Sequence, residues 1–136
     1  MLPKIPRPTH ANFADLNGDG RNDLIVSMYG NNIGRLSWFE KKENGDYAEN
    51  ILLPRSGTLS TAVHDFNGDG QPDFVVTNGD NGEYPSPPKS YHGIRVYLNR
   101  GGMNYEKSLF LPLNGAFRAL ARDYDADGDT DIPAVS

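Results

Sequence analysis

Short apolar runs, separated by clusters of glycine, asparagine and aspartate, recur along almost the whole chain. Leu24-Ile25-Val26 and Phe74-Val75-Val76 are the most compact of them, and each follows an acidic, glycine-bearing segment. Brief β-branched or aromatic runs bounded by turn residues predict strands. Before each acidic segment lies an alternating stretch such as Thr61-Ala62-Val63-His64. After each compact run come a third stretch (Arg35 to Glu40, or Ile94 to Asn99), a turn-rich patch, and a fourth stretch (Tyr47 to Leu53, or Tyr105 to Leu111). No segment sustains a helical period, and 15 glycines with 10 prolines punctuate the chain too often for long helices. The predicted class is all-β, in units of four antiparallel strands.

These units are copies of one another. Asp15-Leu16-Asn17-Gly18-Asp19-Gly20-Arg21-Asn22-Asp23-Leu24 returns as Asp65-Phe66-Asn67-Gly68-Asp69-Gly70-Gln71-Pro72-Asp73-Phe74, and again as Asp123-Tyr124-Asp125-Ala126-Asp127-Gly128-Asp129-Thr130-Asp131-Ile132. The starts are 50 residues apart (65 − 15) and then 58 apart (123 − 65). Later parts also align: Leu36-Ser37-Trp38-Phe39-Glu40 with Arg95-Val96-Tyr97-Leu98-Asn99, Tyr47 with Tyr105, and Ile51-Leu52-Leu53-Pro54 with Leu109-Phe110-Leu111-Pro112. The repeats therefore run about 9–54, about 59–112 with an insertion at 79–92, and about 117–136 in part.

Four strands at a period near fifty suit the blade of a β-propeller, whose sheets pack radially face to face. Thr9, Ala11 and Phe13, like Leu59, Thr61 and Val63 and like Phe117, Ala119 and Ala121, form a mostly apolar set expected to face an adjacent blade. Two units and half of a third make about two and a half blades, so the expectation is part of a larger propeller, or a part whose open edges another chain covers.

Composition sharpens this picture at the acidic segments. Net charge is −5, and 11 of the 18 acidic residues fall in the three copies of the loop. Carboxylates crowded so closely repel unless a cation sits among them. The acidic balance argues against a nucleic-acid partner. The absence of cysteine excludes disulfides, thiolate nucleophiles and zinc–thiolate sites. No apolar run approaches the ~20 residues of a membrane span, and the proline-bearing N-terminus has no secretory core.

Within each loop, positions 1, 3, 5 and 9 are Asp15, Asn17, Asp19 and Asp23; Asp65, Asn67, Asp69 and Asp73; and Asp123, Asp125, Asp127 and Asp131. Alternate residues of a tight loop turn their oxygens to one centre, and the backbone carbonyl of position 7 (Arg21, Gln71 or Asp129) adds another. Hard oxygen donors suit Ca²⁺, up to one ion per loop and three in all, far better than zinc or copper. Position 6 is glycine each time (Gly20, Gly70, Gly128), as a sharp turn around an ion requires. An EF-hand needs a Glu at position 12 between helices. Here Val26, Val76 or Ala134 stands there, and strands flank the loop. A phosphate cradle is disfavoured because the carboxylates would repel the ligand.

Loop, spacing and the following strands together resemble the FG-GAP/VCBS repeat family, which includes the calcium-bearing blades of integrin α-subunit propellers and many exported bacterial proteins. The resemblance implies a propeller, typically seven-bladed, with each ion between the first and second strands of a blade and serving a mainly structural role. It also implies an extracellular, periplasmic or cell-surface location. The third loop departs from the pattern by carrying Asp125-Ala126 for Asn-Gly, which leaves the ligand set intact.

The remaining candidates read as architecture. His10, His64 and His92 have no identifiable catalytic partner, and Trp38 and Tyr97, aligned with each other, read as packing between blades. The insertion, with Tyr84, Pro85, Pro87, Pro88, Lys89, Tyr91 and His92, is the least repeat-like stretch and the expected place for function particular to this protein. The functional expectation is a rigid, calcium-stabilised scaffold that binds protein or carbohydrate. The alternatives are part of a propeller-fold polysaccharide lyase or hydrolase, and an assembly component pairing through open blade edges.

Overall fold

A computed structural model describes residues 5–30, 33–79 and 89–136. They contain strands and turns and no helix. Strands β1 (Pro8–Ala14), β2 (Asp23–Met28), β3 (Arg35–Lys41) and β4 (Tyr47–Leu53) form one antiparallel sheet in that order. Strands β5 (Thr58–His64), β6 (Asp73–Asn78), β7 (Gly93–Asn99) and β8 (Tyr105–Pro112) repeat it. A short antiparallel pair, β9 (Arg118–Ala119) and β10 (Ala134–Val135), begins a third. Each strand pairs with the one before it in the chain, in simple up-and-down order. It puts the three acidic loops at one end of the sheets and the β2–β3 and β4–β5 connections at the other.

The sheets meet face to face through their early strands. Contacts between sheets run from β1 and β2 onto β5, and from β5 and β6 onto β9. Between the first two sheets lies the larger core: Leu16, Ile25, Leu36, Trp38 and Leu53 against Phe74, Val76 and Tyr97, with Val63 packed on it. Between the second sheet and the short third one, Val75, Ile94 and Val96 meet Ala116 and Ala119. Burying both faces explains why β2 and β6 are buried at every position. The alternation expected of the first strands holds at Val63 and Ala119, fails at Phe117, and is interrupted by register shifts at Thr9 and Leu59. Val63 faces the first sheet, Ala62 faces the third, and Ala119 is buried against the second. On β1 the equivalent Phe13 is 68% exposed, and Phe117 is 62% exposed. Among the described residues the sheets do not close into a ring.

Polar links repeat along with the apolar ones. The Ser27 and Thr61 hydroxyls, both buried, hydrogen-bond at 2.8 Å across the first pair of sheets. Thr77, which aligns with Ser27, donates its hydroxyl to the Phe117 carbonyl at 3.2 Å across the second.

One alignment is corrected by the register. Leu24 pairs with Phe39, whereas Phe74 pairs with Tyr97, so the residue equivalent to Tyr97 is Phe39 rather than Trp38. Trp38 corresponds to Val96. The consequence is directional, because neighbours along a strand point to opposite faces. Trp38 looks forward onto the second sheet and Tyr97 looks back onto the first, so both enter the same core from opposite sides.

Candidate functional site

Each acidic loop is organised by its own first carboxylate. Asp15 Oδ1 accepts the backbone N–H groups of Gly18 (2.8 Å) and Asp19 (3.1 Å), and Oδ2 accepts that of Gly20 (2.7 Å). Asp65 repeats this with Gly68, Asp69 and Gly70 at 2.8, 3.1 and 2.7 Å. The Gly70 N–H above all, then those of Gly68 and Asp69, holds the Asp65 carboxyl below the usual range against the opposing effect of desolvation. Gly20, Gly70 and Gly128 have φ of +82°, +82° and +97°, the left-handed turn expected at position 6.

Positions 3 and 5 are joined directly. The Asn17 and Asn67 amides each donate to the Oδ2 of Asp19 and Asp69 at 3.0 Å, and their Oδ1 atoms accept the N–H of those aspartates at 3.1 Å. Position 7 differs between the copies. The Arg21 guanidinium reaches back to Asp19 Oδ2 at 2.5 Å and donates from Nε to the Lys41 carbonyl at 3.0 Å, whereas Gln71 contacts Asp69 by its backbone N–H, at 2.8 Å. Asp19 is held below its usual pKa: desolvation pushes upward, but the Arg21 and Asn17 hydrogen bonds and the Arg21 and Lys42 charges outweigh it.

Position 9 serves the fold as well as the loop. Asp23 and Asp73 are fully buried. One oxygen of each takes the N–H of the second loop residue (Leu16, 3.3 Å; Phe66, 2.8 Å). The other takes an N–H from the third strand (Lys41, 2.8 Å; Asn99, 2.7 Å). This tie to the third strand was not visible in the sequence, because its donor is a backbone group 18 or 26 residues away.

The third loop is looser and more acidic. Asp123 accepts Gly128 N–H at 3.2 Å, Asp125 accepts Asp127 N–H at 3.2 Å, and Asp131 accepts Tyr124 N–H at 2.9 Å. Asp129 at position 7 is pushed above its usual pKa, first by the Asp127 charge and then by a hydrogen bond to that residue and the charges of Asp131 and Asp125. Ala126 occupies the place of Gly18 and Gly68 and adopts the same left-handed backbone, at φ +62°.

The donor set can be tested against the proposed ion. Oxygens bound to one calcium at about 2.3–2.6 Å lie no more than about 5 Å apart. One carboxylate oxygen from each of Asp123, Asp125 and Asp131 falls within 4.8 Å of the others. In the first two loops the third position is an amide, Asn17 or Asn67, which offers a neutral oxygen where Asp125 offers a carboxylate. A carboxylate has about four acceptor directions, so Asp15 and Asp65 keep lone pairs beyond the N–H groups they bind. The residues fit a hard cation.

No histidine belongs to these loops, although His64 touches two of them. His10 Nδ1 accepts the Thr61 N–H at 3.4 Å, and its pKa is lowered by burial first and by the Arg118 charge second. His64 pairs with the Thr130 hydroxyl at 3.0 Å and packs edge-on to Phe66. His92 is buried. Of the insertion, Tyr84, Pro85, Pro87 and Pro88 lie outside the described residues. Lys89 and Tyr91 stand at the far end of the sheets, beside a hollow that sequence reasoning passed over. Its lining includes Arg55, Ser56, Tyr91 and Tyr97, brought from both sheets.

Four-stranded antiparallel repeats with an oxygen-rich loop between the first two strands define an all-β repeat protein. A family profile described as FG-GAP-like repeat matches residues 15–76 and 65–132, and the chain belongs to that family. It is also similar to a T-cell immunomodulatory protein homolog of Plasmodium falciparum (isolate 3D7), at 35% identity over 83 residues, covering 55% of this chain and 11% of the relative. The chain thus spans about 11% of the length of that curated relative. No solved structure matches. Among the described residues no helix is long and apolar enough to cross a membrane.

Proposed function

We propose that this chain is a calcium-binding segment of a β-propeller, acting outside the cytoplasm as a rigid scaffold for protein or carbohydrate binding. Its repeats, about 9–54, about 59–112 and about 117–136, would each be a blade or part of one within residues 1–136. The observation that carries the reading is the threefold loop, with Asp15, Asn17, Asp19 and Asp23 and their counterparts presenting only oxygen donors. A bound cation would supply positive charge where carboxylates otherwise repel, as they do around Asp129. The protein's own part is done by the backbone N–H groups and glycines that hold the loop. Calorimetric titration of the chain with Ca²⁺ tests this. The expected result is saturable binding of up to three ions and a melting temperature that EGTA lowers. At a hundredfold excess over Kd, each site adds about 2.7 kcal/mol of stability. A melting curve indifferent to both calcium and EGTA would refute the proposal.

A second reading has a specific observation behind it. Phe13, Phe117, Leu120, Tyr124 and Val135 are exposed large apolar side chains on the outermost sheets. In a propeller such faces are covered by further blades; in an assembly component they would be covered by another chain. Self-association seen by sedimentation as concentration rises would favour the second arrangement.

A further inference from the structure

The end of the sheets away from the aspartate loops has chemistry of the opposite sign. Between the first and second sheets lies a hollow of about 430 Å³ whose lining includes Leu53, Arg55, Ser56, Tyr91 and Tyr97. Its size is that of a small-molecule site. Among the described residues no acidic side chain lines it. The Arg55 guanidinium lies 5.7 Å from the centre of the Tyr91 ring, and the Tyr91 and Ser56 hydroxyls hydrogen-bond at 2.8 Å. Tyr97 is 8% exposed, and burial raises the pKa of its hydroxyl, so the group stays a neutral donor and acceptor.

Arg95 shares the Tyr97 face of β7 and is only 5% exposed. It lies 4.2 Å over the Phe110 ring and donates once, to Asn78 Oδ1 at 3.3 Å. Among the described residues neither Arg55 nor Arg95 has an acidic partner within ion-pair distance. Burial, with the nearby Arg55 charge adding to it, lowers the Arg95 pKa. A buried guanidinium short of partners, beside a second one, is costly in an otherwise acidic protein unless an anion joins it.

We propose that this hollow binds a carboxylate-bearing sugar of the uronate class, with Arg55, backed by Arg95, taking the carboxylate and the Ser56, Tyr91 and Tyr97 hydroxyls taking ring hydroxyls. A planar carboxylate matches the guanidinium fork, and hydroxyls that both donate and accept match a polyol. This deepens the scaffold reading by naming a ligand, yet it requires no cation in the loops.

Calorimetry of the full chain with sodium glucuronate, glucose, acetate and tetragalacturonate tests it, in calcium and in EGTA. Glucuronate is expected to bind saturably, and glucose and acetate at least about tenfold more weakly, since each lacks half of the recognised groups. Arg55 is exposed, so Arg55→Ala should keep the parent circular dichroism spectrum while losing at least about tenfold in affinity. Tyr91→Phe, which removes one hydroxyl, should lose about threefold or more. Tighter binding of tetragalacturonate than of glucuronate assigns a polymer as the source, and equal binding assigns a single acidic unit. The proposal is overturned if glucuronate gives no saturable heat in either buffer, if acetate binds as well as glucuronate, or if Arg55→Ala binds as the parent does. Failure of the calcium reading would show separately, as absent calcium heats with glucuronate binding intact.

Discussion

The second and third acidic loops begin with the same plan and end differently. In the second, Asp73 is fully buried and its two oxygens hold Phe66 N–H and Asn99 N–H, clamping the loop to the third strand of its sheet. In the third, Asp131 is only partly buried and holds Tyr124 N–H, and among the described residues no third strand stands beside β10 to offer a second amide. The comparison separates two jobs that one aspartate performs. Facing the loop, it holds the N–H of the second loop residue; facing the sheet, it is an acceptor for an amide of the third strand. Where the sheet is incomplete, only the first job remains.

Removing the clamp should therefore have the largest effect. In calcium-free buffer, Asp73→Ala leaves two backbone donors unpaired and is expected to cost about 2–4 kcal/mol in urea unfolding. Asp131→Ala should cost about 1 kcal/mol, and equal losses at the two positions would break the comparison. In the presence of calcium the order can change, since Asp131 belongs to the three-carboxylate cluster. Asp125→Ala should then remove one bound ion of the set and leave the first two loops filled.

A smaller effect comes from the backbone. Ala126 takes a left-handed turn that Gly18 and Gly68 make in the other copies, at φ of +77° and +74°. Ala126→Gly is expected to stabilise the third loop by about 1 kcal/mol. A destabilised variant would show that the Ala methyl makes a contact outweighing the strain.

The smallest effects distinguish the first sheet from the second. Glu49 accepts hydrogen bonds from Arg35 and Ser37, each at 2.7 Å, and the second sheet has Lys107 at the matching place. The Arg35 hydrogen bond, more than that of Ser37, holds the Glu49 carboxyl below its usual pKa, against desolvation. A depressed folded pKa means the contribution is present above the unfolded value of about 4.3 and is lost as pH falls through the folded value. Glu49→Gln should thus cost about 0.5 kcal/mol at pH 7 and nothing measurable near pH 2. A cost that persists at the lower pH would assign the effect to packing. In the loops, Arg21→Gln would free an oxygen of Asp19 and make the first loop resemble the second. Its calcium affinity is expected to rise by about 1 kcal/mol or less.

Much of this was legible in the chain because the signals are local. β4 spans Tyr47–Leu53 as the pattern predicted, and the glycines of position 6 take the turn that the loop spacing demanded. The alignment of Trp38 with Tyr97 failed because matching one aromatic to another ignored which carbonyls and amides the strand would meet. The register follows instead from Asp23 gripping Lys41 N–H and Asp73 gripping Asn99 N–H. Arg21 looked like a bystander that lent only a carbonyl, yet its side chain closes on Asp19 within the loop.

Turns and pleats depend on residues a few positions apart, so the order of residues alone determined the strands, the repeat, the all-β class and the oxygen-lined loops. Which face meets which, how the third strand locks onto Asp23 and Asp73, and how Arg55 and Ser56 from one sheet's edge reach Tyr91 and Tyr97 of the next were decided only in three dimensions. Those arrangements join residues tens of positions apart, and no local rule of spacing carries the packing and register that bring them together.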